Sequence, residues 1–179
     1  MKYFIDVVLL FFALPLFLFF YPIISLLILI FDGTPILYSQ LRVGLYGNEF
    51  KLYKFRTMSI LSDDSVHQNH YENLSENKKI EPSLTPDNPI RIENDDRITK
   101  VGNILRKTSL DELPNIINVL IGNMSFVGPR PLVKYESDLY GKYLEERNSV
   151  KPGITGLAQI QGRLDLSLIH ISEPTRQIV

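Results

Sequence analysis

Val7–Phe31 (VVLLFFALPLFLFFYPIISLLILIF) carries no charge, and from Tyr3 to Phe31 only Asp6 is charged. A run this long, apolar on every face, suits a membrane helix and not the core of a soluble domain. A secretory signal peptide fits poorly: the apolar core is too long, only Lys2 supplies an N-terminal charge, and no small-residue cleavage site follows. A straight helix of this length covers about 40 Å at roughly 1.5 Å per residue, more than a hydrocarbon core of about 30 Å. Pro15 and Pro22 each remove a helical N–H and crowd the preceding turn, which predicts a kink at one of them. Basic residues on both sides, Lys2 and Arg42, suit two ends on one face of the membrane, with a tilted spanning anchor as the alternative.

Outward from that segment, the 179-residue chain leaves room for one further core, so a single small domain is expected. Ile36-Leu37-Tyr38 and Phe50–Phe55 read as two short strands joined through Gly44 and Gly47. Alternation in the second sets Lys51 and Tyr53 on one face and Leu52 and Lys54 on the other. The polar stretch 59–94 contains Pro82, Pro86 and Pro89 and reads as an insertion, either a functional lid or disordered. His67 and His70 lie in it at a metal-ligand spacing, but no third or fourth ligand is near, which favours loop histidines. Leu132–Arg147 reads as an amphipathic helix whose stripe of Leu132, Leu139, Tyr140, Tyr143 and Leu144 faces either a core or a membrane interface. The fold class is thus α+β and helix-rich: a membrane-embedded broken helix over 1–32, then a second domain over 33–165 with a short β-hairpin. Absence of cysteine excludes disulfides, thiolate nucleophiles and cysteine-held metals, and a net charge of −1 gives no polybasic signal for nucleic acid.

The chemistry concentrates in Thr108-Ser109-Leu110-Asp111-Glu112-Leu113-Pro114-Asn115. Ser109 followed by Glu112 has the spacing of a capping box, and Leu110, Leu113, Ile116, Ile117 and Leu120 recur at helical spacing, so a helix is expected to begin near Ser109. Asp111 then lies in a first turn, where backbone N–H groups and the macrodipole favour carboxylates and phosphates. Such an Asp either caps the helix or attacks phosphorus or holds a metal. Arg106-Lys107 upstream and Pro129-Arg130-Pro131 downstream bracket the pair. Arg130 offers a phosphate-binding fork held between two rigid residues, or else a solvated Arg in a turn; its basic and Pro/Gly neighbours favour phosphate.

Taken together, these motifs resemble the bacterial sugar transferases, the monotopic polyprenyl-phosphate phosphoglycosyl transferases. The carriers are the apolar segment with Pro22, Lys54-Phe55-Arg56-Thr57-Met58, Arg106, Ser109–Pro114, Met124–Pro131 and Lys151–Gln159, covering the chain to about Arg163. The resemblance implies a re-entrant hairpin turning back at Pro22 and an enzyme of the bacterial inner membrane with its catalytic domain on the cytoplasmic face. It implies transfer of a sugar 1-phosphate from a UDP-sugar to a polyprenyl phosphate, as in the first step of capsule, O-antigen, exopolysaccharide or glycoprotein synthesis. Asp111 would be the nucleophile and Glu112 the ligand of Mg²⁺. Lys54, Arg56, Arg106, Pro129, Arg130, Pro131 and Arg163 would form the substrate-binding set. The competing reading is a catalytically silent membrane-anchored protein that binds nucleotide or lipid; a phosphohydrolase using the same Asp is a third.

Leu166–Arg176 reads as the translation of a sequencing-library adapter, so 166–179 is expected to be a non-native tail.

Overall fold

The computed structural model describes residues 2–59, 97–137 and 144–156. The polar stretch with His67 and His70, apart from Ser59, and everything beyond Gly156, including Arg163 and the adapter-like tail, lie outside the described residues. In chain order the elements are α1 (Lys2–Phe31), β1 (Leu37–Val43), β2 (Glu49–Phe55), α2 (Lys100–Thr108), a 3₁₀ turn (Leu110–Glu112), α3 (Asn115–Leu120), β3 (Ser125–Val127), α4 (Lys134–Ser137), α5 (Leu144–Asn148) and β4 (Gly153–Thr155). Two small sheets, β1–β2 and β3–β4, accompany the helices, giving the expected α+β class. Described residues fall into two compact units, one of 2–40, 51–59 and 97–125, the other of 41–50, 126–137 and 144–156.

In the first unit α1 sets the architecture. Its sequence is apolar all round, yet the more buried positions follow helical spacing: Asp6, Leu10, Leu14, Phe17, Tyr21, Ile24 and Ile28, running on to Asp32 just beyond the helix. The other faces stay exposed, with Phe4, Phe11, Phe19, Leu26 and Ile30 among the uncovered side chains. So much uncovered hydrocarbon needs an apolar solvent, and α1 is long and apolar enough to cross a membrane. The chain is accordingly membrane-associated. Both ends of the packed stripe are tied to this unit: Ser125 Oγ donates to Asp6 Oδ1 at 2.8 Å, and Thr99 Oγ1 donates to Asp32 Oδ2 at 2.8 Å.

The break and re-entrant hairpin expected at Pro22 do not form: Lys2–Phe31 is one continuous helix with both prolines inside it. Each proline costs one backbone hydrogen bond locally, and apolar helices tolerate that loss. Both prolines point away from the packed stripe, where their rings displace no core contact.

Ile24 and Ile28 of α1 join Phe55 of β2 and Leu105 of α2 in the core of this unit, with Tyr21, Ile36, Val101, Leu110 and Leu113 packed against them. Strands β1 and β2 form the expected hairpin; a connection this short permits only antiparallel pairing. Gly47 takes φ +80° in its turn, a conformation that costs glycine nothing. In β2, Phe50 and Leu52 are buried while Lys51 is exposed, as alternation predicts; Phe55 breaks the pattern because it enters the α1 core.

In the second unit, Val43 bridges Leu132, and β4 lies against the Gly128-Pro129 backbone. Gly128 N–H donates to the Thr155 carbonyl at 2.9 Å, and Gly153 N–H donates to the Pro129 carbonyl at 2.9 Å. A Cβ on Gly128 would lie 2.4 Å from the Lys151 carbonyl oxygen, and one on Gly153 2.1 Å from the Gly128 nitrogen, so both glycines are required by this backbone approach. The helix expected over 132–147 is observed only as α4 and α5; Leu132 sits in a β-bridge, and 138–143 are outside the described residues.

Candidate active site

The turn bearing Asp111 and Glu112 is built by the elements on either side of it. Thr99 caps α2, its Oγ1 accepting from Gly102 N–H at 2.9 Å, and α2 ends with Arg106 and Lys107 in its last turn. Ser109 follows in the left-handed conformation, φ 58°, and returns its N–H to the Leu105 carbonyl. The capping box is therefore absent: Ser109 makes no side-chain cap, residues 110–112 form a 3₁₀ turn, and α3 starts after Pro114. A capping interaction of that kind occurs instead at Glu136, whose Oε2 accepts from Val133 N–H at 3.0 Å ahead of α4.

Leu110 and Leu113 pack on the α1–β2–α2 core, and because they are three residues apart they turn the intervening Asp111 and Glu112 outward. Lys54, reaching from β2, donates from Nζ to Glu112 Oε1 at 2.6 Å. Burial pushes the Asp111 carboxyl above the usual carboxylate range; the positive charge of Lys54 opposes this, neighbouring Glu112 reinforces it, and Arg106 with Asp111's own backbone N–H opposes it. Asp111, Glu112, Lys54 and Arg106, expected at the site, are thus brought together in one electrostatic cluster.

Arg56 has a different task from the phosphate contact expected of it. Its side chain is buried, and Nη2 donates to the carbonyls of Asp32 at 2.7 Å and Gly33 at 2.8 Å, with Nη1 donating to Thr34 at 3.3 Å. A guanidinium fork suits several carbonyls at a helix C-terminus as well as it suits a phosphate, and sequence cannot choose between them.

Pro129, Arg130 and Pro131 belong to the second unit. The Arg130 carbonyl accepts from Arg147 Nη2 at 2.6 Å, while Arg130 Nε is buried with no partner among the described residues. Arg130 and Arg147 line a shallow cleft together with Gly44 and Pro152.

One residue of this frame was not foreseen from sequence. Asn118 of α3, completely buried, donates from Nδ2 to the Lys51 carbonyl at 2.7 Å and accepts from Tyr53 N–H at 3.2 Å, pinning the free edge of β2 beside Lys54. Its only sequence signal is an amide inside an otherwise apolar helical stripe.

Among the described residues no cluster of three or more metal-ligating side chains occurs. Mg²⁺ does not require one, since it is commonly held by one or two carboxylates together with substrate phosphates. The adjacent carboxylates of Asp111 and Glu112 supply that donor chemistry.

A long apolar helix bearing a small α+β unit, with an outward acidic pair backed by Lys and Arg, defines a membrane-associated domain equipped to handle phosphate. The chain matches the family described as bacterial sugar transferase over residues 1–176, and it belongs to that family. It is 43% identical over 135 residues to the undecaprenyl-phosphate galactose phosphotransferase of Salmonella typhimurium, covering 75% of this chain and 27% of that protein. It is 42% identical over 142 residues to the UDP-glucose:undecaprenyl-phosphate glucose-1-phosphate transferase of Escherichia coli, covering 78% and 26%. The exopolysaccharide production protein ExoY of Rhizobium meliloti is 41% identical over 163 residues, covering 86% and 63%. The chain thus spans about a quarter of the first two relatives and under two thirds of the third.

Proposed function

We propose that the protein transfers a sugar 1-phosphate from a UDP-sugar to a polyprenyl phosphate at the cytoplasmic face of the bacterial inner membrane. The observation that carries this reading is the Asp111–Glu112 pair, turned outward by Leu110 and Leu113 and faced by Lys54. Relatives named for undecaprenyl-phosphate sugar transfer support the substrate pair.

An Asp111 carboxylate oxygen attacks the sugar-bearing phosphorus; the bond from that phosphorus to the bridging oxygen breaks, and UMP departs with the bridging oxygen. An oxygen of the polyprenyl phosphate then attacks the same phosphorus, and the bond to Asp111 breaks. This gives the polyprenyl diphosphate sugar and returns the carboxylate. Glu112, with Asp111, would hold Mg²⁺, which offsets diphosphate charge when bound. Lys54 and Arg106 supply positive charge on the first unit. Arg130, whose buried Nε has no partner among the described residues and whose backbone is fixed by Pro129 and Pro131, is a candidate phosphate donor on the second unit. Arg163 is the remaining candidate contact. The lipid substrate reaches the site laterally, through the bilayer that covers α1, so no deep pocket is needed for its chain.

Intact mass tests the reading directly. Protein reconstituted in lipid, given Mg²⁺ and a panel of UDP-sugars, should gain one sugar phosphate. The adduct should be absent in Asp111→Asn and should disappear on adding polyprenyl phosphate. A folded, nucleotide-binding protein that forms no adduct and no lipid product would instead be the catalytically silent binder.

A further inference from the structure

We infer that Arg56 is a positioning residue that couples the membrane helix α1 to the Asp111–Glu112 turn; the inference deepens the proposed transfer reaction and rests on it. The turn after α1 is gripped from two directions. Arg56, nine-tenths buried, donates to the carbonyls of Asp32, Gly33 and Thr34, and its own N–H donates to the Ile36 carbonyl at 2.9 Å. From the other side the Asp32 carboxylate accepts from Thr99 Oγ1 at 2.8 Å.

Each grip continues to one wall of the site. Arg56 is two residues beyond Lys54, so the strand that clamps α1 also delivers the ammonium that meets Glu112 at 2.6 Å. Thr99 caps α2, whose far end runs through Ser109 into Asp111 and Glu112. The two walls are locked to each other close to the clamp. Thr99 N–H donates to the Thr57 carbonyl at 3.1 Å, Met58 bridges Ile98, and a Cβ on Gly102 would lie 2.1 Å from the Thr57 carbonyl oxygen. With the clamp closed, α1, β2 and α2 are held as one body, and opening it frees the two walls that set the spacing of Lys54 and Glu112. Three carbonyls at a helix C-terminus engage both Arg56 Nη groups, and the side chain is buried, so it is unavailable to substrate while the clamp is closed.

The test uses the full chain in lipid nanodiscs, comparing wild type with Arg56→Met, Arg56→Lys and, on the opposite grip, Thr99→Val. Amide exchange followed by mass spectrometry should accelerate about tenfold or more in Arg56→Met both over 32–37 and over 109–113, while α3 stays within about twofold of wild type. Arg56→Lys should recover part of the protection, and Thr99→Val should loosen the same two segments. In turnover, Arg56→Met should lower kcat about tenfold with KM for the UDP-sugar within about twofold. Acceleration confined to 32–37, or spread equally through α3, overturns the coupling. A KM raised about tenfold with kcat preserved also overturns it, because Arg56 would then be a substrate contact. A wild type that is inactive on every donor sinks the proposed reaction and leaves the exchange result to decide the coupling.

Discussion

Lys54 Nζ lies 2.6 Å from Glu112 Oε1, joining β2 to the 3₁₀ turn across 58 residues of sequence. Both side chains are partly open to solvent, so the pair matters more for where it places charge than for stability. The Lys54 charge also holds down the carboxyl of Asp111 against the upward push of burial. Lys54→Met should therefore raise the Asp111 carboxyl further and move the acid limb of kcat/KM to higher pH, whereas Glu112→Gln removes a neighbouring negative charge and moves Asp111 the other way. Since Glu112 is also the proposed metal ligand, its variant is read by the pH profile and not by absolute rate. An unmoved acid limb in Lys54→Met would remove Lys54 from the electrostatics of the site.

The same shift has a consequence for stability, and its sign is fixed. A carboxyl raised by burial is harder to ionise in the folded state than in the unfolded chain, so ionised Asp111 destabilises the fold. That cost is fully present above the raised value and is relieved as pH falls through it. Asp111→Asn should melt at or above the wild-type temperature at pH 7, with a gain on the order of 1 kcal/mol. The difference should shrink as pH falls through the raised value and vanish only below the ordinary carboxylate range. Scans of both proteins across pH check this, and a variant less stable than wild type at pH 7 would contradict it.

Asn118, fully buried, holds two backbone groups of β2 beside the site. Asn118→Ala leaves the Lys51 carbonyl and the Tyr53 N–H without their partner and opens a cavity in a fully buried position. The expected cost is about 2–4 kcal/mol, measured by thermal or denaturant unfolding in detergent. Loosened at its edge, β2 should also place Lys54 less accurately, and turnover should fall in the fraction that remains folded.

How far the sequence discloses this arrangement depends on whether a residue's partner is local. The apolar helix and the hairpin were legible because composition and alternation act within a few neighbouring residues. The capping box was misleading because Glu112 finds Lys54, a partner remote in sequence, and Ser109 adopts a left-handed turn that its side chain does not announce. Asn118 and Arg56 were illegible for a related reason. Their partners are backbone groups, which have no letter in the sequence; an Asn in an apolar stripe and an Arg in a basic motif look the same whichever backbone they meet.

Ser109 offers a simple test of that turn. At φ 58° a side chain is tolerated at a cost, so Ser109→Gly should be neutral or stabilising by up to about 1 kcal/mol. Ser109→Val, β-branched in the left-handed region, should destabilise by about 1–3 kcal/mol and lower activity, because the α2–turn–α3 path that presents Asp111 would be distorted. Equal melting temperatures for the Gly and Val variants would mean the left-handed turn is not what holds the pair.

The final prediction concerns how α1 meets the bilayer. Asp6 and Asp32 are both bonded to the first unit, to Ser125 and Thr99, so the helix between them cannot send its N-terminal end across the membrane without breaking the Asp6–Ser125 contact. At roughly 1.5 Å per residue those anchors are about 39 Å apart along the helix, which would bring α1 along the membrane surface or into one leaflet with its exposed Phe, Leu and Ile side chains in lipid. The absence of cysteine makes this easy to probe. Lys2→Cys and Lys107→Cys, made singly, should both react with a membrane-impermeant maleimide in inverted vesicles and both be protected in intact spheroplasts. Labelling of the two positions from opposite sides would show that α1 spans the bilayer. In that case Asp6→Ala should leave topology and activity unchanged, whereas on the same-side arrangement it should weaken the packing of α1 and raise exchange around Ser125.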